Sequence, residues 1–361
     1  MGSAVDTEKT KQKMKLQELA ETEKAKITWK KVVLLIVFPL LFFFISLFLG
    51  RLFIDPLSVL KILAKNLLYF PVEQTWSDTA ETVVMRVRMP RAIMAGMVGA
   101  GLSISGAAFQ GMFHNPLVSP FILGVSAGAG FGAALAIVMD GTMLMIQVSA
   151  FFFGILAVTI TYYLSRIYKT TPILVLVLSG IVISALFQSL LAMLQYTADT
   201  EDKLPAIVFW LMGSMGGVRL EDLPVPLILI AAGSGGLLLI RWRLNILSMG
   251  DQEARSLGIN TELLKGVIII CSTVIAAMVV AFCGIIGWVG LVIPHLCRML
   301  VGPDHRVLLP TTLSVGGAYL ILIDNLARII SPAEVPIGIL TSLVGAPFFA
   351  FMLRKTKGGW G

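Results

Sequence analysis

Ten apolar stretches, nearly free of charge, alternate with short polar ones along this chain. They fall at roughly 32–50, 92–112, 118–138, 143–165, 172–195, 223–240, 265–282, 285–301, 307–325 and 337–353. A helix rises about 1.5 Å per residue, so about 20 apolar residues cross a bilayer core. The pattern predicts an all-α polytopic membrane protein with ten transmembrane helices, residues 32–353, and both ends on one side. Residues 1–31 and 354–361 are then tails. Three polar segments interrupt the pattern at greater length. Residues 51–90 are mixed in character; 196–222 contain an apolar piece, Pro205 to Met215, too short to span; 243–264 are polar with small helical patches.

One stretch is denser in small residues than a lipid-facing helix needs. After Arg91 no Asp, Glu, Lys or Arg occurs until Asp140, enough chain for two crossings, broken at His114-Asn115-Pro116. Gly124, Gly128 and Gly132 stand four apart, a stripe that lets helix backbones approach closely in lipid. The stretch reads as the packed interior of a bundle.

Composition agrees. Of 361 residues 57% are hydrophobic and 14% charged, with a mean hydropathy of +0.89, against about 25% charged residues in a soluble protein. The net charge of +7 suggests nucleic acid only superficially, because the basic residues sit at helix ends and form no single face. With the N-terminus inside, nineteen of the 28 basic residues fall on the inner side. That bias predicts cytoplasmic termini. Arg86, Arg88 and Arg91 run against it on the outer side. A long charged segment before the first apolar run makes residues 1–31 a cytoplasmic tail ahead of a retained helix, not a signal peptide.

What is missing narrows the chemistry. The acid nearest the membrane interior is Asp324, beside Asn325 and Arg328 near a helix end. No ionisable group lies where an ion-coupled carrier keeps one, and no GxxxxGK[ST] is present to cradle ATP phosphates. Cys271, Cys283 and Cys297 lie in apolar runs and read as inert thiols. His114, His295 and His305 lack the convergent partners of a metal or acid–base site and read as capping or interface residues. The chain is expected to be no enzyme and to hold no metal or cofactor. If it moves a solute uphill, another polypeptide drives it, and residues 243–264 are where that motor would push. Leu247, Glu253, Ala254, Leu257 and Leu263 fit a half-buried surface facing such a partner. A secondary carrier or channel, or a membrane enzyme, would need the groups that are absent.

The motifs resemble a known family. One block holds Arg88-Met-Pro-Arg91, Ser105-Gly106 with Gln110, Asn115-Pro116-Leu117 and Leu123 to Gly128. A second runs from Gly284 to Arg298, then Asp304 to Pro310. A third comprises Asp324 to Arg328, Glu334 to Gly338 and Gly345-Ala-Pro347. Together they resemble the FecCD-type permease of ABC importers for iron-siderophores, haem and vitamin B12. The resemblance implies a homodimer with an axial path, two cytoplasmic ATPase subunits that carry the ATP and Mg, and a substrate-binding protein docked outside. Iron(III)-siderophore is the favoured cargo, with haem, a corrinoid or an oxyanion such as molybdate as alternatives. It implies an ATPase-coupling loop at Leu247, Gly250, Glu253, Ala254, Leu257, Gly258 and Ile259. It implies that Arg88, Arg91 and Arg328 receive acidic side chains of the binding protein. Asn115 and Leu117 match the family's inner gate. At its second place, where some relatives carry small hydroxyl residues, this sequence has Thr171, Ile173 and Leu174.

Overall fold

The computed structural model describes residues 29–166, 170–331 and 333–355. The tail segments 1–28 and 356–361 lie outside them. Among the described residues the architecture is all-helical. Six helices are long and apolar enough to cross a membrane, and four shorter apolar ones accompany them.

Helix α1 (Trp29–Phe48) is followed by α2 (Pro56–Leu68). Asp55 starts α2 by accepting a hydrogen bond from the Ser58 amide, with Pro56 at the first helical position. Helix α3 (Asp78–Met112) is a single 35-residue rod. Its π-helical turn, Val83–Arg88, lies just before Pro90. Proline has no N–H to give the carbonyl four residues back, and the wider turn accommodates that loss.

The next apolar run is shorter than the sequence suggests. Residues 115–124 form turns, and α4 covers only Val125–Val138. Pro116 and Pro120 keep the chain from entering a helix earlier. Gly124, at φ 92°, makes the left-handed entry that a side chain would strain. Then come α5 (Met143–Ser165), α6 (Ile173–Thr197) and a short α7 (Lys203–Leu211) in the segment predicted to be too short to span. Helix α8 (Pro224–Leu239) leads into α9 (Arg241–Leu247) and α10 (Asp251–Ser256), the patches expected within 243–264. Helices α11 (Thr261–Cys283), α12 (Val289–Val301), α13 (His305–Ile330) and α14 (Ile337–Lys355) complete the chain.

Helix α3 is the hub. Helices α1, α8, α11, α12 and α13 pack around it, while α4, α5 and α6 form a second group joined to it through α11. Between helices in lipid, packing replaces the hydrophobic effect, so contact depends on how near the backbones come. A Cβ on Gly99 would lie 2.1 Å from the Gly316 carbonyl of α13, and one on Gly106 would lie 1.8 Å from the Gly290 carbonyl of α12. Neither distance is physically possible, so both crossings need glycine. The predicted stripe divides its work. Gly128 and Gly132 set α4 against α5, where added Cβ atoms would meet the Phe153 and Ser149 carbonyls at 2.4 Å. Gly124 faces Ser184 of α6.

Gly106→Val should destabilise the purified protein in detergent by at least about 1–3 kcal/mol, the usual range for overpacking. Gly217→Val, where no atom lies within 4 Å of an added Cβ, should leave the unfolding temperature unchanged. Equal effects of the two would remove the packing argument.

Candidate functional site

Two polar clusters sit at opposite ends of the bundle. The first gathers around α9 and α10. Gly250 (φ 131°) and Gly258 (φ 79°) bracket α10 with backbone angles that side chains disfavour. They fold residues 247–259 into a compact elbow. Leu247 and Ala254 are fully buried beneath it, whereas Glu253, Leu257, Gly258 and Leu263 are exposed and Ile259 is half-buried. Leu247 and Ala254 are the elbow's inward anchors and do not face outward.

This elbow is tied to both segments expected to form a gate. His114, at φ 51° after the end of α3, places Nε2 2.7 Å from the Leu247 carbonyl. A carbonyl only accepts, so Nε2 is the donor. The adjoining turn is closed by the Leu117 amide donating to Asn115 Oδ1 at 2.9 Å, and it leaves Leu117 exposed. The second tie is Lys265. Its ammonium is 1% exposed and donates to Asp251 Oδ2 of α10 at 2.5 Å and to the Thr171 carbonyl at 3.4 Å. Thr171 is buried, Ile173 half-buried and Leu174 exposed, all just before or within the first turn of α6. A buried ammonium is tolerated only when paired, so this lysine fixes α10, α11 and the entry to α6 to one another.

A third link stabilises the same end. Asn245 of α9 donates to Asp304 and accepts from both the His305 amide and its ring nitrogen Nδ1. Burial pushes the Asp304 carboxyl up, but hydrogen bonds from Arg306 and Asn245 outweigh it and hold the group below its ordinary range.

The opposite end holds the arginines. The family resemblance makes Arg88, Arg91 and Arg328 receptors for a partner's carboxylates, but all three are at most 5% exposed. Arg88 donates to the carbonyls of Leu47 and Phe48 at 2.8 and 3.2 Å, and to that of Leu52 at 2.5 Å. It thereby caps the carboxyl end of α1, where carbonyls lack helical partners and the dipole favours a cation. Arg91 donates to Asp324 Oδ1 at 2.7 Å and to both oxygens of Glu334 at 3.1 and 2.8 Å. Arg328 lies 3.2 Å from Asp324 Oδ2 and also donates to Ser46 and Asn325. In this structure these guanidinium groups are engaged by internal acceptors. Glu334, at φ 52° in the loop before α14, is the one carboxylate of the cluster that water reaches.

Pattern reading missed Asp251, Lys265 and Glu334 as site residues. Lys265 carried a signal, being a lone ammonium at the head of an apolar run behind the N-cap residue Asn260. Among the described residues no group of three or more His, Cys, Asp or Glu could hold a metal ion.

Asp324→Ala removes the acid that two buried guanidinium groups share and should cost about 3–5 kcal/mol, as breaking a buried pair does. Glu334→Ala, at the wet edge, should cost about 1 kcal/mol or less. The order of unfolding temperatures in detergent checks this. Asp304, with a lowered folded pKa, contributes stability that is complete above its unfolded pKa and is lost as pH falls through the folded one. Asp304→Asn should flatten that acid limb of the unfolding temperature, measured against pH.

Comparison with known proteins places this geometry in context. The chain is 43% identical over 318 residues to the molybdate import system permease protein MolB of Haemophilus influenzae, covering 87% of this chain and 92% of that one. It is 41% identical over 276 residues to the probable iron chelatin transport system permease protein of Helicobacter pylori, covering 76% and 83%. An ABC transporter assigned to the metal-chelate type, solved in an inward-facing conformation, superposes with a TM-score of 0.80 at 41% identity over 90% of this chain and 99% of that one. The model of the FecCD transport family matches residues 35–355. With nearly the whole described bundle inside that match, the chain belongs to the FecCD transport family.

Proposed function

We propose that the chain is the membrane permease of an ATP-driven importer and works as a homodimer of ten-helix subunits with cytoplasmic termini. An extracytoplasmic binding protein delivers a metal chelate, and two ATPase subunits bind at the elbow formed by α9 and α10. The six long helices and the four shorter apolar ones supply the ten crossings in this reading. The chain itself hydrolyses nothing; ATP and Mg belong to the partner ATPase.

One observation carries the reading. The surface available to a motor and the two candidate gate segments are joined by hydrogen bonds, through His114 to Leu247 and through Lys265 to Asp251 and Thr171. A push on Glu253 or Leu257 has a direct mechanical route to Asn115 and Leu117 on one side, and to Ile173 and Leu174 on the other. ATP binding and hydrolysis then shift the balance between outward- and inward-facing states by favouring one geometry of the elbow. The path needs only weak contacts. Helix α6 carries no charged residue from Ile173 to Thr197, and its exposed Leu174, Leu178, Ile181 and Val182 offer an apolar wall. A cargo brushes past such a wall and is not held by it.

Docking of the binding protein at Arg91 and Arg328 requires those arginines to exchange internal acceptors for the partner's carboxylates. Electrostatic complementarity would then set register more than affinity. The cargo is an iron(III)-siderophore in the first reading. An oxyanion such as molybdate is the second, favoured by the 43% identity to a molybdate permease.

The test is reconstitution of the chain with its ATPase and binding protein in vesicles. Wild type should take up its chelate only with ATP. Lys265→Met should hydrolyse ATP yet lose about tenfold in uptake per ATP, within the usual 5–150-fold range of coupling between sites. Asp251→Asn, a milder change at the same contact, should show a smaller loss of the same kind. Unaltered uptake per ATP in both variants would falsify the route through Lys265.

A further inference from the structure

A groove runs along the outside of the bundle between α5 and α11. Its walls are Ile155, Val158, Thr159 and the pair Tyr162 and Tyr163 on α5, with Gly266, Ile269, Ile270, Thr273 and Val274 on α11. The α11 residues recur at intervals of three and four, one face of a helix. The walls extend over nine residues, eight helical rises, on each antiparallel helix. That is about 12 Å at helical rise, against roughly 15 Å for one leaflet of a bilayer core.

Three features say what fills it. The groove opens beside an apolar face already turned outward at membrane depth, where Val148, Phe152 and Ile160 of α5 are exposed. Gly266 has no atom within 4 Å of where a Cβ would stand, so the end of the groove nearest α10 is left open. Apart from the Thr159 and Thr273 hydroxyls in the walls, tyrosine and arginine lie at that same end. Tyr163 is 68% exposed, its ring packs edge-on against Tyr162, and Arg166 follows one turn later, exposed at the end of α5. An apolar slot that ends in tyrosine and arginine matches a lipid: an acyl chain below, an anionic headgroup above.

We propose that this groove seats one acyl chain of an anionic phospholipid from the leaflet on the α9–α10 side, with the phosphate at Arg166 and the Tyr163 hydroxyl. Only residues 257–260 separate α10 from α11, and Gly266 adjoins Lys265. The seated lipid therefore braces the root of the elbow. Its effect on transport rests on the proposed importer reading, but its binding does not.

The full-length chain is purified from detergent into nanodiscs of phosphatidylcholine with or without phosphatidylglycerol. Native mass spectrometry then counts the phosphatidylglycerol that stays bound. Wild type should keep it in preference to phosphatidylcholine. Arg166→Gln should retain it about fivefold less well, the contribution of one basic residue near a charged surface. Gly266→Leu should lose it. If Gly266→Leu does not fold, Ile270→Trp gives the second arm, since brominated acyl chains should quench a tryptophan in the groove. Equal retention by wild type and Arg166→Gln, or an unquenched tryptophan, overturns the proposal. Cross-linking of Ile270→Cys between two copies also overturns it, because the groove would then be a subunit contact. Chelate-stimulated ATP hydrolysis, measured on the same wild-type preparation, tests the importer reading separately.

Discussion

Backbone proximity is the constraint on which this bundle rests. Lipid tails are as apolar as leucine, so helices in a membrane gain little by hiding apolar side chains from one another. They gain by touching over long lengths, and α3 achieves that with residues that get out of the way. Gly99 admits α13 and Gly106 admits α12, while Gly101 faces Ile230 of α8 and Ile275 of α11. A rod with so many neighbours cannot spread its small residues at random. Each glycine is addressed to particular neighbours, and the rest of the arrangement follows from where those contacts fall.

Charge obeys the complementary rule. A cation inside such a bundle is costly unless it is paired. Arg88 finds three backbone carbonyls, Arg91 and Arg328 share Asp324, and Lys265 reaches Asp251 and Thr171. The two ends of the bundle use this differently. At one end the charges bind helices to each other. At the other, a single ammonium joins a surface elbow to the first turn of a spanning helix, an arrangement suited to transmitting movement. Exposed charge, as on Glu253, belongs to the elbow and not to the interior.

Much of the bundle was legible in the sequence because bilayer thickness imposes a length on every apolar run. The positions of α1, α5, α6, α8, α11, α13 and α14 follow from hydropathy alone, and the short α7 follows from being too brief to span. The start of α4 was misjudged because apolar composition continues through Pro116 and Pro120 where helix geometry does not. Helix α2 went unread inside 51–90, although Asp55-Pro56 is a start signal with a clear cause. The site was less legible. The elbow announces itself by polarity, but the role of an arginine depends on its acceptors. The Asp324 that occupies Arg91 lies 233 positions away in the chain, and no local pattern encodes such a meeting.

The cap that Arg88 places on α1 has a bearing on biosynthesis. Leu47 and Phe48 leave the ribosome some forty residues before the guanidinium that will satisfy them. Until α3 arrives, the end of α1 must stay at a depth where water can serve its carbonyls. The first helix is thus released to its final level only by the third, and the order of synthesis becomes part of how the bundle closes.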